Sequence, residues 1–275
     1  MENLIRGFKE NKAFRISSCL VFLLLAVTLL APVIAPYDPL EAIMRNANAA
    51  PSAEHLFGTD KLGRDVFSRI LYGASYSLSS VVGLVALIFV VGTTLGVIAG
   101  YSGGIVDTVI MRIADMMISF PGVILAIAIA GILGGSLFNA MVALLCVTWT
   151  KYARLSRSMV LKIKKHDFVS AAIVSGGSSI HILWVHILPN ILPLMIITAA
   201  ADIGAMMMEL AGLSFLGFGS QPPAPEWGLM LNEGRQQLQT APWLMIFPGL
   251  AIFITVVIFN LWGDSLRDVL DPRQD

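Results

Sequence analysis

The chain has 275 residues, 18 acidic and 18 basic side chains, a formal net charge of zero, 56% hydrophobic residues and only 13% charged ones. Soluble domains carry about 25% charged residues, and the mean hydropathy here is +0.79, so the composition excludes an ordinary soluble domain. Zero net charge excludes a basic nucleic-acid binder, and the length accommodates about six membrane spans with their loops as one integral domain. The two cysteines, Cys19 and Cys146, fall inside apolar segments and read as small hydrophobes without a disulfide framework.

Residues 1–15 form a short basic start containing Arg6, Lys9, Lys12 and Arg15. No charge follows until Asp38, so a first membrane helix is expected over residues 16–36. A cleaved signal peptide is the rival reading, since Val33-Ile34-Ala35 resembles a small-residue cleavage site. The apolar run exceeds a usual signal core and further spans follow, which favours an uncleaved helix. Residues 38–69 are polar and read as an external loop. Within it, residues 55–69 (HLFGTDKLGRDVFSR) suggest a turn and an amphipathic helix lying on the membrane face.

Core helices are expected over residues 77–262. The second span covers about residues 77–101, with Gly83, Gly92, Gly96 and Gly100 at near-helical spacing. Small residues so placed let helix backbones approach closely. Asp107, Arg112 and Asp115 open a third segment, in which Arg112 and Asp115 can pair at i,i+3 and Pro121 is expected to kink the helix. The fourth span covers about 137–153 and ends in a basic cluster: Lys151, Arg154, Arg157, Lys162, Lys164 and Lys165. The fifth covers about 187–213, a Pro-rich polar loop occupies 217–240, and the sixth span covers about 242–262 before the tail GDSLRDVLDPRQD.

Residues 166–189 (HDFVSAAIVSGGSSIHILWVHILP) stand apart. Asp167 can cap a helix of about eight residues, ~12 Å long, that Gly176-Gly177 would end. Such a helix is too short to span a bilayer. Its small residues, Ser170, Ala171 and Ala172, suit docking of another protein; an ordinary loop with a turn of helix is the alternative. With the N-terminus inside, six spans put the coupling loop (154–186), Arg267 and Arg273 on the cytoplasmic side, in line with the positive-inside rule.

The recognisable chemistry argues against an enzyme. No Gly-x-x-x-x-Gly-Lys-Ser/Thr phosphate loop occurs, so ATP hydrolysis by this chain is not expected. No Cys/His cluster has structural-zinc spacing, and Ser214 in LSFLG lacks the glycine of a serine elbow. Asp202, Met206 and Glu209 fall at i, i+4 and i+7, on one helix face. Charges inside spans face a bundle interior or a water path. That face either lines a translocation pathway attracting cationic cargo, or pairs structurally with an Arg or Lys of a neighbouring helix. Met206 itself reads as a gap filler. His181 and His186, in a surface loop without carboxylates at matching spacing, read as plain polar residues.

SAAIVSG followed by HILP resembles the Glu-Ala-Ala-x-x-x-Gly…Ile-x-Leu-Pro loop of permease subunits of bacterial ATP-binding-cassette importers. Ala171, Ala172, Gly176, Leu188 and Pro189 match, while Ser170 replaces the usual Glu and His186 the Ile. FGTDKLGRDVFSR (57–69), RIADMMISFP (112–121), LSFLGFGSQPPAPEWG (213–228) and GDSLRDVLDPR (263–273) resemble the second permease of the dipeptide/oligopeptide/nickel group. The resemblance implies an all-α type I importer permease with six transmembrane helices and a cytoplasmic coupling helix, in the bacterial inner membrane with both termini cytoplasmic.

It also implies partners: a homologous first permease, two ATPase subunits that hold the ATP and magnesium, and an extracytoplasmic solute-binding protein. The permease itself is then non-catalytic and binds no cofactor, and transport proceeds by alternating access. In peptide importers a Glu-Ala pair usually precedes LSFLG, whereas here the Glu is displaced to Glu209. The wording of 112–117 and 201–207 looks closer to nickel importers, so the cargo is expected to be nickel, free or chelated, ahead of di- or oligopeptides. Readings from other classes are an ion-gradient-driven secondary transporter, which predicts internal repeats that the sequence does not display, and a non-transporting membrane scaffold.

Overall fold

The computed structural model describes residues 7–270. The longer helices are α1 (Lys12–Ile34), α2 (Val66–Ser102), α3 (Gly104–Ile118), α4 (Gly122–Leu133) and α5 (Leu137–Ile163). They are followed by α6 (Asp167–Val174), α7 (Ser179–Ile182), α8 (Leu188–Phe215), α9 (Trp227–Gly234) and α10 (Trp243–Leu270). A π-helical stretch, Leu183–Ile187, joins α7 to α8. Among the described residues four helices are long and apolar enough to cross a membrane: Lys12–Ile34, Val66–Ser102, Ser179–Phe215 and Trp243–Leu270. The pair α3 and α4, bent by 93°, makes a fifth if it is one span.

Glycines decide how the bundle closes. A Cβ on Gly92 would lie 2.5 Å from Tyr152 Cβ, and one on Gly96 would lie 2.2 Å from the Ala153 carbonyl oxygen. Helix α2 therefore lies backbone-to-backbone against α5, as the small-residue spacing anticipated. Gly83 takes no part, since its nearest neighbour would be Met141 Cε at 3.8 Å. Val81, Leu84, Ile88, Leu144, Tyr152, Met195 and Met207 meet in the core between α2, α5 and α8. Helix α1 packs on α10, where the hydroxyls of Ser17 and Ser265 are 2.8 Å apart. Outward residues such as Phe22, Leu29 and Ile132 are strongly exposed, the surface expected of helices solvated by lipid.

Several expectations are corrected. Residues 55–69 form no amphipathic surface helix: an irregular loop runs to Asp65, whose carboxylate caps α2 by accepting the Ser68 N–H at 2.8 Å. Val66 to Arg69 are simply the first turn of a long helix. Helix α5 continues ten residues beyond Ala153, where Val160 and Ile163 are buried in a cluster with Val97 of α2 and its basic side chains pair with acids on neighbouring helices. Pro121 does not kink one helix but starts α4 after a sharp break, as its ring and missing N–H dictate. The loop over 217–240 contains α9, and the last helix extends through Leu270. The final residues of the tail, Arg273 among them, lie outside the described residues.

Candidate functional site

Helix α6 is where the sequence placed it, eight residues long. Its N-cap is His166 rather than Asp167, and no side-chain cap bond forms. Asp167 sits in the first turn, where its charge suits the positive end of the helix. Gly176 adopts φ +81°, the left-handed conformation that stops a helix at little cost for glycine. Its N–H donates to the Ile173 carbonyl at 3.0 Å, and the Gly177 N–H donates to the Ala172 carbonyl at 3.0 Å.

Of the residues of this helix, Val169 alone is fully buried. Val169 is buried in a cluster with Val97, Val160, Ile163, Ile182, Ile187 and Ile191, which ties α6 to the ends of α2 and α5. The opposite face is open: Phe168, Ser170, Ala171, Ile173 and Val174 are exposed, while Ala172 is half-buried. Pro189 is exposed in the first turn of α8. The arrangement is a short apolar helix with small residues at its centre, held to the bundle by one edge.

The acidic stripe of α8 divides. Asp202 accepts from Lys151 Nζ at 2.6 Å and 2.8 Å through its two oxygens, and from the Tyr152 hydroxyl at 3.0 Å. That is the structural pairing weighed from the sequence. Met206 is buried in the core. Glu209 alone faces a hollow, half-buried beside Val123, Ile127, Leu144, Met208 and Leu213 of α4, α5 and α8.

Lys151 is the first rung of a ladder on α5. Arg154 pairs with Asp115, and Arg157 donates from Nη2 to Asp107 Oδ2 at 2.6 Å. Residues 151, 154 and 157 fall on one face at i, i+3 and i+6, so α5 is strapped to α8 once and to α3 twice. Asp115 thus pairs across helices with Arg154, not with Arg112 as the local spacing suggested. Lys164 Nζ donates to the Tyr101 carbonyl at 2.8 Å, capping the end of α2.

The opposite end of the bundle holds a buried charge cluster that sequence reading missed. Arg64 Nε donates to Asp60 Oδ2 at 2.6 Å, and Arg64 Nη2 reaches both Glu233 oxygens at 3.2 Å. Arg69 Nη2 donates to Glu233 Oε2 at 2.8 Å. Both guanidiniums are almost fully buried, at 2% and 1% exposure, and burying them is tolerable only because each has an acidic partner. Nearby, His55 Nδ1 lies 2.9 Å from Asp65 Oδ1, Phe57 stacks on Phe247 with ring centres 3.9 Å apart, and Trp243 Nε1 donates to the Thr59 carbonyl at 3.2 Å. Glu226, also buried, accepts the N–H groups of Gly228 and Leu229, each at 2.8 Å, and starts α9. Burial pushes its carboxyl above the usual carboxylate range, outweighing those two N–H donors. The available sequence signal was the density of Asp and Arg in the 57–69 motif, which local reading assigned to the surface.

A multi-helix bundle with apolar spans, a broken helix pair and a buried charged end defines an integral membrane protein. Residues 92–275 match the family described as "binding-protein-dependent transport system inner membrane component", and the chain belongs to it. Residues 2–51 match "N-terminal TM domain of oligopeptide transport permease C". The chain is 44% identical to the dipeptide transport system permease DppC of Alkalihalophilus pseudofirmus, covering 98% of this chain and 88% of that protein. It is 41% identical to the nickel transport system permease NikC of Escherichia coli K12, covering 94% of each. With the glutathione transport system permease GsiD of Pectobacterium atrosepticum it shares 44% identity over 98% of this chain and 89% of that one. Among solved structures, the inward-facing MetNI methionine ABC transporter shares the fold at a TM-score of 0.58 and 19% identity, covering 74% of this chain and 97% of that chain. The protein is therefore a permease subunit of an ABC importer with the type I fold. Its likeness to dipeptide, nickel and glutathione permeases is nearly equal, so the lean toward nickel is not singled out.

Proposed function

We propose that this chain forms half of the translocation path of an ATP-driven importer for nickel, free or chelated, or for di- and oligopeptides delivered by a solute-binding protein. A homologous permease supplies the other half, and two ATPase subunits hold ATP and magnesium. Counting α5 and the bent pair α3–α4 with the four apolar helices gives six crossings. With the N-terminus inside, α6 then lies in the cytoplasm and the buried charge cluster outside.

The observation that carries the reading is α6: a largely exposed apolar helix whose one fully buried side chain is Val169. A large apolar patch on an exposed, hydrogen-bonded helix is a partner site. Ser170, Ala171 and Ala172 allow close approach of the ATPase, Asp167 favours the helix start, and Gly176 and Pro189 set the chain's exit. Closure of the ATPase dimer on ATP pushes α6, and the buried Val169 passes that motion to α2 and α5. Asp202 and Met206 hold the path's wall, and Glu209 presents a carboxylate to passing cargo, suited to an ammonium group or a cationic chelate.

The test is Ala171→Asp and Gly176→Asp in the assembled transporter. Loss of the ATPase from the purified complex, with the permease still inserted and folded, supports the reading. Normal assembly and ATP-driven uptake in both variants would overturn it.

A further inference from the structure

We propose that His181 and His186 together form a binding site for one first-row transition-metal dication of the nickel, copper or zinc class. The spacing argued against it, because at ~100° per residue an α-helix places positions i and i+5 about 140° apart. The chain does not wind as an α-helix here. Leu183–Ile187 is π-helical, and the wider turn brings the rings to one side, with centres 5.9 Å apart and planes at 78°. π-Turns inside α-helices are energetically poor and occur frequently at functional sites.

The surroundings fix the backbone at His181 and the ring of His186. His181 follows the Ser178 cap, whose Oγ accepts the His181 N–H at 3.3 Å. His186 is half-buried and packs against Phe168 of α6, with ring centres 6.1 Å apart. His166 sits on the other side of the chain of rings, stacked on Phe168 at 5.7 Å, and so is set apart from the pair by an aromatic side chain. Imidazole nitrogens suit nickel, copper and zinc, and metal–nitrogen bonds of about 2.0–2.1 Å let one ion bridge these rings after small side-chain rotations. Among the described residues no group of three or more His, Cys, Asp or Glu is placed to hold a metal, so the pair makes a two-ligand site completed by water. Bridging the rings closes the π-turn across one side and stiffens the connector between α6 and α8.

The site stands on this geometry alone and is independent of which cargo the transporter carries. The test uses the full-length permease in detergent, titrated with Cu²⁺, the ion with the highest general affinity for such ligands, and followed by electron paramagnetic resonance. The expected result is one Cu²⁺ bound per permease with two imidazole nitrogens in its coordination shell. His181→Asn and His186→Asn each weaken binding at least about tenfold, the size of loss that even outer-shell partners produce, and leave one imidazole or none. His166→Asn leaves the signal unchanged. Both ring positions are at least partly exposed, and unchanged thermal melting shows the variants folded. Wild-type binding in either pair variant, or equal loss in His166→Asn, would overturn the proposal.

Discussion

Lys151 on α5 reaches Asp202 on α8 at 2.6 Å, and the Tyr152 hydroxyl, one residue on, donates to the same carboxylate at 3.0 Å. Asp202 is buried while the Lys151 side chain is 55% exposed. The acid thus depends on the base more than the reverse. Asp202→Ala leaves Lys151 free to turn outward, but Lys151→Ala strands a buried carboxylate. Breaking a fully buried pair costs about 3–5 kcal/mol, and partial exposure places Lys151→Ala near ~2 kcal/mol. Thermal unfolding of both single variants and the double variant checks this. The double should lie well above the sum of the singles, and simple additivity would show that the two groups do not interact.

Arg157 and Asp107 strap α5 to α3. Reversing both charges, Arg157→Asp with Asp107→Arg, keeps the strap, while either single reversal opposes like charges. Assembly and transport should fall in each single variant and return at least partly in the swap. A swap no better than its parents would assign these residues roles other than pairing.

Gly96 has no room for a methyl group, as its Cβ would lie 2.0 Å from Ser156 Oγ and 2.2 Å from the Ala153 oxygen. Gly96→Ala should destabilise the bundle by about 1–3 kcal/mol through forced separation of α2 and α5. Gly83→Ala, facing only Met141 Cε at 3.8 Å, should be neutral or slightly stabilising. Melting temperatures of the pair measure the contrast.

Glu233 neutralises two buried guanidiniums. Glu233→Ala leaves Arg64 and Arg69 facing each other with Asp60 as the shared acid, a loss of about 3–5 kcal/mol. Helix α9 should detach first, visible as faster hydrogen exchange over Trp227–Gly234.

Glu226 gives a pH prediction. Its carboxyl is held above the ordinary value of 4.5 by burial, so the folded state binds the proton more tightly than the unfolded chain. Its stabilising contribution is full below the unfolded value and is lost as pH rises through the raised folded value. Glu226→Gln, which cannot ionise, should flatten stability against pH across that window. An unchanged pH slope in Glu226→Gln would show that another group sets it.

Much of the helical layout was readable before folding. An uncharged run must lie in lipid or in a core, a Gly-Gly step must stop a helix, and a basic connector must face the cytoplasm if the positive-inside rule holds. Hence α1, α6 and the spans around α8 and α10 fell close to their sequence positions. Where charge entered, local reading failed. Arg64 and Arg69 looked like surface residues because a single segment cannot show that Glu233 of α9, 169 and 164 residues away, comes to meet them. The end of α5 was misjudged for the same reason, since Val160 and Ile163 are buried only by meeting Val97 of α2.

By itself the sequence determined a helical membrane protein, the small-residue contact of α2, and a short helix of eight residues stopped just before Gly176. These follow from hydropathy and backbone conformational limits, which act within a few residues. The tertiary structure alone decided which acid each base meets, that Glu209 faces a hollow while Asp202 does not, and that His181 and His186 share one side. Those outcomes depend on distances between helices and on the extra residue of a π-turn, and no local pattern encodes either.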